Sequence, residues 1–129
     1  MTIRYKIVKT ATPGVKGGGK YHYYPRIYDR KKIDLEELSE RISRMSSLHE
    51  VDVMGVLMAL TSELPELLLN NHTIQLGEFG TFSLHASGTP SDTPKEVNAG
   101  KIKGVKVAFR PGKRIKRKLR NAKFSVRKI

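Results

Sequence analysis

The segment from residue 47 to about residue 70 limits the folding of this chain most, because it predicts a helix that is apolar almost all the way round. Its apolar residues are Val53, Met54, Val56, Leu57, Leu60, Leu64, Leu67 and Leu68. A surface helix of a small monomer keeps a polar face. This helix therefore either forms the middle of the core or is also buried against a second copy of the chain.

We favour the second copy, because one partner helix and one small sheet are too few to cover every face of such a helix. The sequence therefore predicts a homodimer. The residues expected at its interface are Met54, Leu57, Leu60, Leu64, Phe79 and Phe82.

Two helix starts are marked by capping residues. Asp34 with Glu37 predicts a capping box at the start of a first helix, and Ser47 with Glu50 predicts a second box at the start of the apolar helix. Pro65 removes one hydrogen bond from the apolar helix, so it predicts either a kink or a tightened last turn.

A hairpin is predicted after the helices. Residues 73–76 and 81–86 alternate in polarity as two strands, and residues 77–80 (Gly-Glu-Phe-Gly) separate them. The two glycines provide the backbone conformations that a tight turn needs. We expect Phe79, between them, to pack inward.

The carboxy-terminal part combines a strand with a short helix. Residues 101–109 alternate as a half-buried strand, and Pro111 and Gly112 end it. The helix that follows places Ile115 and Leu119 on one face and cations elsewhere. The amides at its start, together with a lysine, are expected to bind an anion.

Charge is distributed unevenly along the chain. Residues 101–129 contain thirteen Lys or Arg and no acid, whereas eight of the twelve acids lie between positions 34 and 66, and the formal net charge is +13. Such a basic run is either a solvated face or a surface for a polyanion, and we favour the polyanion because the apolar spacing is kept. Nucleic acid is the leading partner.

A membrane partner is less consistent with the sequence. The chain has no tryptophan, its basic helix has only two apolar anchors, and no apolar run reaches the ~20 residues that cross a bilayer. Its start does not resemble a signal peptide, so we expect a cytoplasmic protein. The 129 residues suit one domain with a small appendage, and the absence of cysteine excludes disulfides and thiolate metal sites.

Strands are predicted at both ends of the chain. Residues 2–8 alternate as a strand, and residues 21–28 predict an edge strand because Pro25 interrupts them. The tyrosines of the second strand either stack on bases or cover a small sheet. Residues 12–20 predict a flexible loop. A last strand around Phe124 is expected to pair with the amino-terminal strands.

Two capped helices are followed along the chain by Ile74-Gln-Leu-Gly-Glu-Phe-Gly-Thr-Phe82 and then by Phe109-Arg-Pro-Gly-Lys-Arg-Ile-Lys116. In this order, these features closely resemble the HU / integration host factor family of bacterial DNA-bending proteins. With its extra strands at both ends, the chain looks most like the HU-like subfamily of Bacteroides-type bacteria. The resemblance implies an α+β fold with two amino-terminal helices, a β-sheet with an arm, and a short basic helix. It also implies an intertwined homodimer.

The resemblance covers residues 33–121. It therefore divides the chain into an amino-terminal β extension at 1–32, an HU-like DNA-binding domain at 33–121 and a carboxy-terminal strand at 122–129. On this mapping Lys113 and Lys116 match the phosphate contacts of the family, and Phe109 matches its core aromatic. The residues predicted to contact DNA are Lys101, Lys103, Lys106, Arg110, Gly112, Lys113, Arg114, Lys116 and Arg117.

The arm departs from the family pattern. HU-type arms carry an arginine-rich ribbon and a proline that wedges between base pairs, whereas residues 87–100 contain no arginine and two acids. Pro90 or Pro94 could serve as such a wedge or in a turn, and we favour the turn. Binding by phosphate neutralisation does not depend on a wedge.

The function expected from these observations is largely sequence-independent binding of double-stranded DNA by a nucleoid-associated, architectural protein. Rival functions are an RNA-binding module and a structural assembly subunit with a basic face. Residues 77–80 carry an acid where RNA-binding aromatic motifs do not. Neither a catalytic carboxylate pair nor metal-ligand spacing is present, so we predict no enzyme, metal, cofactor or small-molecule substrate. The histidines without such spacing are His22, His49, His72 and His85.

Overall fold

The computed structural model describes residues 2–11 and 19–127. Within them lie three α-helices and two three-stranded sheets, so the predicted α+β class is confirmed. Most of the loop predicted at residues 12–20 lies outside the described residues. The chain forms two compact units, which we call the terminal unit (Met1–Ile33 with Lys118–Ile129) and the central unit (Asp34–Arg117).

The elements follow one another along the chain as strands, helices, strands, a helix and a strand. They are β1 (Ile3–Ala11), β2 (Tyr21–Ile27), α1 (Leu35–Arg44), α2 (Glu50–Leu69), β3 (Ile74–Gln75), β4 (Gly80–Gly88), β5 (Ile102–Pro111), α3 (Lys113–Leu119) and β6 (Phe124–Val126). Two short 3₁₀ turns, Pro94–Glu96 and Ala99–Lys101, lie between β4 and β5.

The terminal unit contains a sheet built from both ends of the chain. Its strand order is β2-β1-β6, with β1 antiparallel to β2 and parallel to β6. Backbone bonds of 2.8 Å from Ile3 to Lys123 and from Arg127 to Tyr5 flank the parallel pair. The pairing of the last strand with the amino-terminal strands is thus confirmed. β2 is an edge strand, as Pro25 predicted.

The first helix begins and packs as its sequence indicates. Asp34 accepts a 2.9 Å hydrogen bond from the amide of Glu37, which confirms the predicted cap. Ser39, fully buried, donates to the carbonyl of Leu35 at 2.7 Å and lies 3.8 Å from the sulfur of Met54 on α2. A small side chain at this position lets the two helices approach closely.

The second predicted capping box is wrong. α2 begins at Glu50, its N-cap is His49, and no side chain caps it. The reason lies in the preceding turn, where the hydroxyl of Ser43 donates to the carbonyl of Leu48 at 2.8 Å. This bond continues the turn to residue 48, so Ser47 lies inside the turn rather than at the helix start.

α2 passes through Pro65 and tightens at its end. The amide of Asn70 bonds to the carbonyls of both Glu66 and Leu67, and the amide of Asn71 bonds to Leu68, three residues back. This is the tightened last turn, one of the two predicted outcomes. No helix in the described part of the chain is both long and apolar enough to span a membrane.

The central sheet has the order β3-β4-β5, and its first turn depends on glycine. Gly77 and Gly80 have φ angles of 53° and 150°, which other residues rarely adopt. A Cβ atom on Gly80 would lie 2.5 Å from the ring of Phe109. A Cβ atom on Gly112 would overlap the carbonyl oxygen of Glu78. The turn at residues 77–80 therefore packs directly on the backbone that ends β5.

Replacing Gly112 by alanine tests this close approach. We expect Gly112→Ala to lower the free energy of unfolding by about 1–3 kcal/mol, because the added methyl group meets backbone that cannot rotate away. Gly104→Ala is the matched control, since a Cβ atom there meets nothing within 4 Å. That variant should raise the stability by up to about 1 kcal/mol. Equal urea midpoints for the two variants would contradict the structure.

Candidate nucleic-acid interface

β4 and β5 form a ribbon with one polar, cationic face. Paired residues point to the same side of a sheet. Lys106 lies opposite His85, and Arg110 lies opposite Thr81. The hydroxyl of Ser83, also on this face, lies 3.3 Å from Nε2 of His85. Two of the predicted DNA contacts are therefore brought to one face, together with neutral hydrogen-bonding groups.

The opposite face of the ribbon is apolar. Its cross-strand pairs are Phe82 with Phe109, Leu84 with Val107, and Ala86 with Val105. The ring of Phe79 lies 5.3 Å from that of Phe109, and the rings of Phe82 and Phe109 are 4.8 Å apart. Phe79 is nevertheless 52% exposed in the single chain, so the prediction that it packs inward is only partly correct. Both predicted interface aromatics lie on this face.

The turn at residues 77–80 positions the start of α3. The amide of Gly112 donates to the carbonyl of Phe79 at 2.9 Å, and the carbonyl of Gly112 accepts from the amide of Lys116 at 3.1 Å. The two motifs that carried the family resemblance are thus in direct contact. As a result, the backbone of the hairpin fixes the first turn of the basic helix.

α3 presents cations on the side away from its apolar residues. Ile115 is half-buried, whereas Lys113, Lys116 and Arg117 are exposed. With about 3.6 residues per turn, Lys113 and Arg117 point away from Ile115, and Lys116 lies about 100° to one side of it. Arg114, the fourth predicted contact on α3, is exposed and lies about 100° to the other side. The helix therefore offers a compact cationic surface.

A shallow cleft joins the ribbon to α3. Arg110, Gly112 and Lys113 line it from one side, and Glu78 and Gln75 line it from the other. The ion pairs of the described residues lie elsewhere, on β1 and α1. The cations of β5 and α3 thus remain available to an external anion.

Lys101 and Lys103 lie at the other end of β5. Lys101 closes the second 3₁₀ turn, and its carbonyl accepts a 3.0 Å bond from Thr89. An extended strand rises about 3.3 Å per residue, so Lys103 is about 23 Å from Arg110. The structure therefore separates the predicted contacts into two groups. The segment between β4 and β5 contains the two 3₁₀ turns, and Pro94 begins the first of them.

His85 is a candidate site residue that the sequence analysis did not include. Its register with Lys106 places it on the cationic face. The alternation of Thr81, Ser83 and His85 with apolar residues was the signal that could have identified it.

Comparisons with known proteins bear on the family to which the chain belongs. The model of the HU-HIG family, described as an HU domain fused to a wHTH, Ig or glycine-rich motif, matches residues 1–126. The "DNA-binding protein HU" of Thermus thermophilus is 28% identical over 96 residues, which cover 70% of this chain and 96% of that protein.

A solved structure described as a bacterial DNA-binding protein from Bacteroides vulgatus matches with a TM-score of 0.66 and 11% identity. The match covers 97% of this chain and 48% of that one, so this chain spans about half its length. At this identity the likeness shows the fold alone. The family match, in contrast, confirms the resemblance to HU-like proteins. Because that match extends over nearly the whole sequence, the chain belongs to the HU-HIG family of HU-domain proteins.

Proposed function

We propose that this protein binds double-stranded DNA with little sequence preference, as an architectural protein of the bacterial nucleoid in the cytoplasm. The observation that carries the proposal is the exposed cationic surface formed by α3 and the polar face of β5. Membership of the HU-HIG family and the DNA-binding relative support it.

The chemistry of this surface favours phosphate over bases. Arg110 offers a planar guanidinium that can hold a phosphate through two hydrogen bonds, and Lys113 and Lys116 offer compact point charges. Contacts of this kind fix the position of a duplex but carry no sequence information. Displacement of condensed counterions then supplies most of the binding free energy.

The arm supports the same mechanism. Its residues form two short 3₁₀ turns, and it carries the acids Asp92 and Glu96. A proline wedge needs a ribbon that reaches into the minor groove, and acids at that depth would be repelled by phosphate. We therefore propose that neutralisation rather than intercalation drives binding.

The duplex-binding unit is proposed to be a homodimer. Val53 and Leu68 are the buried large apolar residues of the described chain, whereas Val51, Met58 and Leu69 are 81%, 56% and 73% exposed in the single chain. Val51 and Met58 are seven residues apart, and Met58 and Leu69 eleven, so the three lie on one face of α2. This exposed apolar stripe fits burial against a second copy.

The interface predicted from the sequence is kept in this proposal. Within the single chain, Met54, Leu57 and Leu64 are half-buried and Leu60 is exposed, so these residues still have surface to lose. On the ribbon, Phe82 is half-buried and Phe79 is exposed. Together with the exposed stripe, they extend the apolar surface available to a partner copy.

Charge removal on α3 tests the phosphate mechanism. If the dimer neutralises roughly 6–10 phosphates, log affinity falls with log salt at a slope of about −5 to −9. Lys113→Gln with Lys116→Gln should weaken binding to unrelated duplexes equally, and the slope should become shallower by about 2–4. Fluorescence anisotropy over a salt series measures both quantities.

The matched control for that experiment is Arg41→Gln with Arg44→Gln. Both arginines are on α1, where they pair with Glu37 and Glu40, and such exposed pairs contribute little stability. The control removes the same charge and should leave the slope unchanged. Weakening confined to one sequence would point to base readout instead. Tighter binding to structured RNA than to duplex DNA at equal salt would favour the RNA-binding alternative.

A charge placed on the exposed stripe tests the dimer. Met58→Asp should weaken dimerisation by at least about 100-fold, because it buries an unpaired carboxylate in the interface. Ala59→Asp is the control, since Ala59 shares the polar face of α2 with Asp52 and Glu63. Sedimentation velocity measures the association. Two variants that dimerise equally well would show that this stripe is not the interface.

A further inference from the structure

The two units of the chain differ sharply in charge. The terminal unit contains 14 of the 25 Lys and Arg residues but one of the 12 acids, whereas the central unit contains 11 of each. The formal net charge of +13 therefore belongs entirely to the terminal unit. The central unit, which carries the surface proposed above, is neutral overall.

Cations lie side by side across the terminal sheet. Lys6 on β1 is directly opposite Arg26 on β2. On the other side of β1, Arg127 follows the last residue of β6, and its amide donates to the carbonyl of Tyr5 at 2.8 Å. The alternation of β6 places Arg127 on the same face as Lys6. We call Arg26, Lys6 and Arg127 the cation row.

The cation row has no acid to neutralise it within its own sheet. Like charges directly opposite each other destabilise a sheet. The only acid in the sequence of the terminal unit is Asp29, and it forms a 2.8 Å ion pair with Arg4. Arg26 and Arg127 are exposed and Lys6 is half-buried. Within the terminal unit the guanidinium of Arg127 lies 5.7 Å from the centre of the Tyr28 ring, and a polyanion across the row would relieve the repulsion between the cations.

The opposite face of the same sheet has a different chemistry. Tyr5, Ile7, Tyr23, Ile27 and Phe124 form a broad apolar depression there. Base stacking would use those rings, whereas the row offers charge. Strands lie about 4.8 Å apart, so the row spans about 10 Å, the axial rise of about three phosphates on one strand of B-DNA.

We propose that the cation row binds the phosphate backbone of duplex DNA, as a second surface separate from that of β5 and α3. This inference goes beyond the proposed function, because the row needs none of the residues of α3. It assigns a role to the terminal sheet, which adds contacts along the duplex without reading its sequence.

The test compares two triple variants of the full chain. Lys6→Gln/Arg26→Gln/Arg127→Gln removes the row, and Arg30→Gln/Lys31→Gln/Lys32→Gln removes the same charge from exposed residues after β2. Fluorescence anisotropy with one short duplex over a salt series measures the slope of log affinity against log salt. For the row variant this slope should be shallower than that of the wild type by about 3 for each cation row that contacts DNA. At about 0.1 M salt the row variant should bind at least about tenfold more weakly than the control variant.

A folding measurement accompanies the binding measurement. Without DNA and at low salt, the row variant should melt at the same temperature as the wild type or higher, because a like-charge repulsion has been removed. Weak binding by a row variant that melts lower would mean that the sheet had lost its structure. The single substitution Lys6→Gln, which keeps both arginines, should then still make the slope shallower by about 1.

Two results would overturn the inference. One is equal affinity and slope for the row variant and the Arg30/Lys31/Lys32 control. The other is unchanged duplex binding with a loss confined to a single-stranded oligonucleotide or to anionic vesicles. The Lys113/Lys116 variant separates this inference from the proposed function. If the Lys113/Lys116 variant binds duplex DNA normally while the row variant binds it weakly, the proposal for the α3 surface is wrong and the proposal for the cation row is supported.

Discussion

The contact between Gly112 and the carbonyl of Glu78 holds the candidate site together. Since nothing larger than glycine fits without a shift, the turn at residues 77–80 packs directly against the end of β5. The amide of Gly112 completes the joint by donating to Phe79. A seven-residue helix such as α3 is not stable alone in water, so this joint fixes where its cations point.

The packing of α2 also depends on a small residue at a close approach. Ser39 brings α1 against α2 beside Met54, and Val53 and Leu68 are buried, whereas Val51, Met58 and Leu69 are exposed in the single chain. A chain of this length normally buries a sizeable core. The exposed stripe is therefore the apolar surface that a partner copy would bury in the proposed dimer.

Sequence reasoning identified most elements because their signals are local. Asp34 caps α1, Pro25 marks an edge strand, and Gly77 and Gly80 mark a turn, each by its own stereochemistry. The predicted start of α2 was wrong because the hydroxyl of Ser43 donates to the carbonyl of Leu48, which keeps Ser47 inside the preceding turn. The local sequence alone does not show this competing hydrogen bond. His85 and the cation row were missed because they depend on register between strands, which a single sequence does not specify.

The two cationic surfaces reflect two electrostatic arrangements. In the neutral central unit, the acids lie mostly in the helices, where Glu37 and Glu40 pair with nearby arginines, and this separation leaves β5 and α3 cationic. At a distance the opposite charges of this unit offset one another, so its cationic patch acts at short range. The terminal unit instead carries unbalanced charge, so salt screening alone limits the range of its potential, to about 8 Å at physiological ionic strength. On the two proposals made above, the terminal unit would speed encounter with a duplex, and the surface of β5 and α3 would hold the duplex after encounter.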